Sequence, residues 1–141
     1  MKNKCILVIS DTHCPYHHPD LIPFLSSIRR KYKPDRVVHI GDETDKHGLN
    51  FHGQDPDLPS AGDELEKART TIHEIEKLWS NVDLLHSNHG SLAYRRAFKA
   101  GLPRAYMRGY NEVLDVGSGW KWHNELTIRL FNRQRRIGFC L

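Results

Sequence analysis

The fold is decided by the sequence CILVISDTH at residues 5–13, an apolar run that ends in an aspartate and a histidine. Such a continuous apolar run is typical of a strand covered on both faces of a parallel sheet. Two similar runs follow, RVVHIGD at 36–42 and VDLLHSNH at 82–89. Helical spacing of apolar residues over 21–31 and 62–79 separates the three runs. Alternating strands and helices predict an α/β fold whose first sheet is mainly parallel.

The rest of the chain carries weaker patterns. Residues 43–61 are polar and contain two prolines, which indicates a long loop, and loops of that length are usually functional or disordered. A third helix is predicted over 91–99. Residues 112–116 and 125–130 are predicted as short strands separated by a turn rich in glycine and tryptophan. A layered fold with a truncated second sheet is therefore expected.

Length and composition exclude several protein classes. The 141 residues correspond to one domain, and no apolar run approaches the roughly 20 residues of a membrane span. The amino terminus does not have the features of a signal peptide, and the three cysteines form no Cys-x-x-Cys pair. We therefore expect a cytoplasmic protein that neither spans nor binds a membrane.

The net charge of +4 comes wholly from the end of the chain. Residues 1–128 hold equal numbers of basic and acidic side chains, whereas residues 129–141 hold four arginines and no acid. This break predicts a domain over 1–128, followed by a basic, poorly ordered tail over 129–141. Nucleic-acid binding through that arginine-rich tail is a weaker alternative function, because affinity for phosphates follows clustered cations.

Metal-competent side chains follow each of the three predicted strands. Asp11 and His13 follow the first strand, Asp42 follows the second, and Asn88 and His89 follow the third. Ligands of open parallel sheets bind at the carboxyl ends of the strands, so we expect these side chains to converge. Carboxylate, imidazole and amide donors together suit a borderline divalent metal such as Mn²⁺, Fe²⁺ or Zn²⁺.

The motifs Asp11-x-His13, Gly41-Asp42-x-x-Asp45 and Asn88-His89 together resemble the signature of calcineurin-like metallophosphoesterases. The resemblance covers residues 5 to about 90. The sequence is also similar to the phage-encoded branch of that family. It implies two divalent metal ions, with manganese among the candidates. The implied activity is hydrolysis of phosphomono- or phosphodiesters by metal-bound hydroxide.

The resemblance also implies a role for each motif residue. Asp42 would bridge the two metals, which lie about 3.5–4 Å apart in such sites. His89 would be the catalytic acid that protonates the leaving oxygen, and Asp45 would hold its other ring nitrogen. The implied metal ligands are Asp11, His13, Asp42 and Asn88.

The chain also departs from the family pattern. Ser87 replaces the usual glycine, and Gly90 replaces the usual acid, so Lys46 is expected to lack its ion-pair partner. The closing Gly-His-x-His block is absent, and His123, expected on a turn, is the only histidine after His89. One alternative is therefore a truncated, catalytically impaired remnant or interaction module, from a chain that ends early or is out of register with its relatives.

The remaining polar residues have simpler interpretations. His39 and His86 are expected to be buried and hydrogen-bonded, and Cys14 to be an inert thiol. The loop histidines His47 and His52 are weak candidates to replace a lost ligand. Residues 94–96 would either contact a phosphate or form a solvated helix face. The resemblance implies a phosphoester as the partner, with nucleotides and nucleic acids among the candidates.

Overall fold

The computed structural model describes residues 5–53, 55–132 and 135–140, with side chains described as far as residue 128. Within these ranges the strands are β1 (Ile6–Ile9), β2 (Arg36–His39), β3 (Val82–Leu85), β4 (Trp120–His123), β5 (Thr127–Asn132) and β6 (Arg135–Cys140). The α-helices are α1 (Leu21–Tyr32), α2 (Ala61–Leu78), α3 (Leu92–Lys99) and α4 (Tyr110–Leu114). No helix in the described ranges is long and apolar enough to cross a membrane.

The main sheet has the strand order β1-β2-β3-β4, and every neighbouring pair is parallel. The predicted α/β class with a parallel first sheet is therefore confirmed. Strands β5 and β6 pair antiparallel in a second sheet. The predicted division into a 1–128 domain and a 129–141 tail remains a prediction, because the tail side chains lie outside the described part of the chain.

The two faces of the main sheet are covered to different extents. On the helical face, Ile72 and Ile75 of α2 pack with Leu84 and Trp120, and each is at most 1% exposed. The indole of Trp120 also donates a hydrogen bond of 3.1 Å to the carbonyl oxygen of Trp79. The opposite face has a smaller apolar cluster around Val38. The sheet is therefore held mainly from its helical side.

The strand predicted over 112–116 is wrong, because the structure has helix α4 at Tyr110–Leu114. Glu112 caps this helix by accepting a hydrogen bond of 2.8 Å from the Gly109 N–H. Leu114 is 1% exposed and packs in the helical-face core together with Val113. The cap and the burial of one helix face outweigh the weak strand pattern of so short a segment.

The predicted glycine- and tryptophan-rich turn is shorter than expected, because its second half forms β4. Trp120 and Trp122 alternate with Lys121 and His123, and both indoles pack in the helical-face core. Period-two alternation of this kind is typical of a half-buried strand. His123 therefore lies on a strand of the main sheet and not on a turn.

The long loop over 43–61 is tied down by the two helices that flank it in space. The Glu64 carboxylate on α2 accepts hydrogen bonds from the N–H groups of His47 (2.7 Å) and Gly48 (2.9 Å). The Arg96 guanidinium on α3 donates to the carbonyl oxygens of Leu49 (2.9 Å) and Asn50. The loop, which includes a 3-10 turn at His47–Leu49, thus joins α2 to α3 beside the strand ends.

Candidate metal centre

The segments after β1 and β2 run side by side at the carboxyl edge of the sheet. The N–H of Asp11 donates to the carbonyl oxygen of Gly41 at 3.2 Å, and the N–H of His13 donates to that of Asp42 at 2.9 Å. Three of these residues have left-handed φ angles, 51° at Asp11, 43° at His13 and 55° at Asp42. Such angles are costly for residues other than glycine and cluster at functional sites.

Gly41 makes the close approach of the third segment possible. Its φ of 109° disfavours any side chain, and an added Cβ would lie 2.6 Å from the Cβ of Ser87. The Ser87 hydroxyl accepts hydrogen bonds of 3.0 Å from the N–H groups of both Asp42 and Gly90. Ser87 thereby joins the second and third strand ends and gives the site an additional link.

Asp11, His13 and Asp42 form a set of donors that we call the first donor set. His13 Nε2 lies 3.8 Å from Asp11 Oδ1 and 3.9 Å from Asp42 Oδ2. Donors that are about 2.0–2.2 Å from one ion lie roughly 3–4 Å apart, so these separations fit a shared divalent metal. Two carboxylates and one imidazole also match the ligand preference of such metals. The first donor set therefore fits a metal on both geometry and chemistry.

Asp45 orients His13 from behind. Its Oδ1 lies 2.9 Å from His13 Nδ1, on the opposite side of the ring from the first donor set. A carboxylate can only accept, so this bond places the ring proton on Nδ1 and leaves Nε2 as the free donor for a metal. Carboxylate–histidine–metal chains of this form fix ring orientation and raise ligand basicity.

His89 packs against the same group of side chains. Its ring meets that of His13 edge to face, with centroids 4.7 Å apart. His89 Nδ1 lies 2.5 Å from the carbonyl oxygen of Asp45 and 3.7 Å from the Asp45 carboxylate. The structure thus places the Asp45 carboxylate nearer to His13, while His89 is held chiefly by the Asp45 backbone.

Asn88 lies between two residues that bind Asp42. Its neighbour Ser87 bonds the Asp42 N–H, and the N–H of His89 lies 3.4 Å from Asp42 Oδ1. The backbone carbonyl oxygen of Asn88 accepts hydrogen bonds from the side chains of Ser91 and Arg95, at the start of α3. The backbone therefore brings Asn88 to the edge of the first donor set, and its role as a ligand remains a prediction.

Glu43 was not recognised as a site residue from the sequence. It follows Asp42 directly and is 1% exposed, and its carboxylate oxygens have no well-formed hydrogen bond to a described residue. The Trp122 indole nearby favours the charged carboxylate. Burial raises the pKa of Glu43, and burial lowers that of Lys46 nearby. An added Cβ on Gly90 would lie 3.6 Å from Glu43 Oε1. The acid missing after His89 thus has a buried counterpart from the second strand end.

Lys46 makes other contacts at the site in place of the expected ion pair. Its ammonium group donates a hydrogen bond of 2.6 Å to the carbonyl oxygen of Gly90 and lies 5.5 Å from the centre of the Tyr110 ring. The signal in the sequence is the pair Glu43 and Lys46, three residues apart and flanking Asp45. This acid and this base both lie in the loop that follows β2.

His123 and His47 make their contacts with residues outside the first donor set. His123 Nε2 lies 2.8 Å from Asp83 Oδ1, and Asp83 also binds Arg36. Partial burial by itself raises the pKa of Asp83, but hydrogen bonds from Arg36 and His123 outweigh it and lower the pKa. Inside the loop, His47 Nε2 accepts a hydrogen bond of 3.2 Å from the Asp55 N–H, and His47 Nδ1 lies 3.4 Å from the Asn50 amide nitrogen.

Cys14 and His39 are buried near the first donor set and do not belong to it. Cys14 is fully buried, and burial raises the pKa of its thiol to about 12, as expected of an inert thiol. His39 is 2% exposed and bonds the Thr12 hydroxyl at 3.1 Å, so its expected burial is confirmed. His86, in contrast, is exposed at the end of β3 and packs against Tyr110.

Comparison with known proteins identifies the family of the chain. A family model described as calcineurin-like phosphoesterase matches residues 5–133. No curated protein and no solved structure matches the chain. The family match spans all four strands of the main sheet together with the first donor set.

Proposed function

The chain belongs to the calcineurin-like phosphoesterase family, and on that premise we propose that it hydrolyses phosphate esters at the first donor set and its neighbours. The observation that carries the proposal is the chain of contacts from Asp45 through His13 to the two carboxylates of Asp11 and Asp42. A divalent metal bound there would polarise the phosphate and acidify water near neutral pH. Asn88 would complete the ligand set.

His89 is the proposed general acid. The Asp45 carbonyl can only accept a hydrogen bond, so the His89 proton at that contact is on Nδ1. Nε2 is then the nitrogen that gains and loses a proton, and in its charged form it can donate to the leaving oxygen of the ester. Asp45 thus supports both histidines, one through its carboxylate and one through its backbone.

The test is hydrolysis of bis-p-nitrophenyl phosphate by the Mn²⁺-loaded protein. Asp42→Asn removes a central carboxylate at nearly constant shape, and the rate should fall by about a hundredfold or more, at least as much as losing an outer ligand contact. Asp57→Asn is the control, because Asp57 is exposed and lies outside the cluster. Equal rates for wild type and Asp42→Asn would contradict the proposal.

A metal-binding protein without turnover is the second candidate function. Among the described side chains, the groups able to hold a metal are the first donor set and the set His13, Asp45 and His89, and His13 is shared by both. Shared use of one imidazole favours fewer than two tightly bound ions. Calorimetric titration with Mn²⁺ distinguishes the candidates, since tight binding without hydrolysis supports the non-catalytic module.

A further inference from the structure

A groove of about 720 Å³ begins at the loop that carries Asn88 and His89. Ser91 and Arg95 line it and also bond the Asn88 carbonyl oxygen, at 3.0 and 2.9 Å. The groove continues along α3 and the segment that follows, and its lining residues include none of the first donor set. Its volume is in the range of specific ligand sites.

The groove is lined by cations, and its main wall carries no acid. Arg95, Lys99 and Arg104 are among its lining residues. From residue 84 to residue 111 the sequence holds five basic residues and neither aspartate nor glutamate. Residues 1–128 together carry no net charge, so this concentration of cations is local. Charge complementarity therefore points to a polyanion.

Aromatic rings interleave with these cations. Phe98 lines the groove with 83% of its surface exposed, and Phe51, 37% exposed, also lines it. The Lys99 ammonium lies 4.1 Å from the centre of the Phe51 ring, and the Arg104 guanidinium lies 5.4 Å from that of Tyr94. Exposed aromatic faces beside cations are how proteins stack successive bases of single-stranded nucleic acid.

We propose that this groove binds a single-stranded nucleic acid and leads one of its phosphodiesters to the first donor set. The inference rests on the proposed function for the reaction, and names the substrate class for it. Bases would stack on Phe98 and its neighbours, while Lys99 and Arg104 would neutralise phosphates. A mononucleotide would use only part of the groove, and a duplex would hide its base faces from Phe98.

The test is fluorescence anisotropy of a labelled oligothymidylate of about eight nucleotides, with the full chain in EDTA. Phe98→Ala should weaken binding about fivefold or more. The Phe98 side chain is exposed, so the variant should fold like wild type, and a melting curve checks this. Phe24→Ala is the control, since Phe24 is 58% exposed on α1 and lies outside the groove.

The cations are tested by the double variant Lys99→Gln with Arg104→Gln. Affinity should fall about tenfold at low salt, and the slope of log K against log salt should shrink by about 1.4, or 0.7 per cation removed. Arg30→Gln with Lys31→Gln on α1 is the control of equal charge. The arginine-rich tail is common to all these variants, so any difference between them comes from the groove.

Several results would overturn the inference. These are no oligothymidylate binding by wild type, equal losses in groove and control variants, and equal affinity for thymidine monophosphate or for a duplex. Metal is removed in every measurement, so failure here leaves the hydrolysis of bis-p-nitrophenyl phosphate untouched. Conversely, strand binding without hydrolysis would contradict only the proposed reaction.

Discussion

His13 belongs both to the first donor set and to the group that it forms with Asp45 and His89. Its Nδ1 bonds Asp45 and its Nε2 faces Asp11 and Asp42, so one ring orientation serves both contacts. The meeting of Asp11, His13 and Asp42 could be predicted, because parallel strands end at one edge of a sheet. The partner of Asp45 could not, because it depends on the left-handed backbone of the loop, including a φ of 57° at Lys46.

His39 shows a second dependence on the position of one proton. The Thr12 hydroxyl donates to the carbonyl oxygen of Glu43, so it accepts from Nε2–H of His39. Nδ1 of the same ring accepts the N–H of Gly41 at 3.2 Å. A second ring proton on Nδ1 would face that N–H. Burial accordingly lowers the pKa of His39 to about 4.

The first prediction is that His39 makes the folded chain sensitive to acid. Its pKa of about 4 when folded lies below the ordinary 6.5, so the unfolded state binds the proton more readily. The stabilisation is complete above pH 6.5 and is lost as the pH falls towards 4. Between pH 7 and pH 5, wild type should lose about 2 kcal/mol more unfolding free energy than His39→Asn.

Urea denaturation in EDTA measures this difference, since a bound metal would add its own pH dependence. His39→Asn can be less stable than wild type at every pH, and only the pH dependence tests the argument. Parallel curves for the two proteins between pH 7 and pH 5 would show that His39 does not titrate with folding.

At the level of elements, the sequence predicts best the segments whose apolar residues follow one clear pattern, either helical or extended. The first three strands and the helices 21–31, 62–79 and 91–99 are all present within a few residues of their predicted bounds. The segment 112–116 was misassigned because five residues fit either period. The helical signal was the cap pair Gly109 and Glu112, together with the spacing of Tyr110, Val113 and Leu114.

Glu64 is the clearest case of one element positioning another. It is 2% exposed on α2, and its two carboxylate oxygens accept the N–H groups of His47 and Gly48. These residues belong to the loop that continues from Asp45 of the candidate site. The sequence could not show this link, because an acid in the first turn of a helix is equally explained by the helix dipole.

We predict that Glu64→Gln loosens the loop. One oxygen becomes an amide nitrogen, which donates and cannot accept, so one loop N–H loses its acceptor at a cost of about 1–3 kcal/mol. Chymotrypsin should also cleave after Phe51 faster than in wild type. Glu74→Gln, at an exposed position of the same helix, is the control and should change stability by less than about 0.5 kcal/mol. Indistinguishable stability and cleavage in the two variants would rule out the anchoring role.

At the scale of the whole molecule, the main sheet is closed on one face and partly open on the other. Val8 remains 48% exposed and Ile40 36% exposed on the less covered side, while Val38, the register partner of Val8, is fully buried. Val38 packs in one cluster with Leu85 of β3 and with Leu126, just before β5. The sequence predicts that the second sheet is small, but not that the segment before it seals the middle of the first.

Leu126→Ala therefore tests how the two sheets are joined. Leu126 is 9% exposed, and truncation should lower the free energy of unfolding by about 2 kcal/mol, at the lower end for a buried leucine because the site is close to solvent. Leu58→Ala is the control, because Leu58 is 36% exposed in the long loop and should cost less than about 0.5 kcal/mol. Urea unfolding at constant m-value measures both. If the two substitutions cost the same, the segment before β5 does not cover Val38 in solution, and the opposite face of the main sheet is more open than the structure shows.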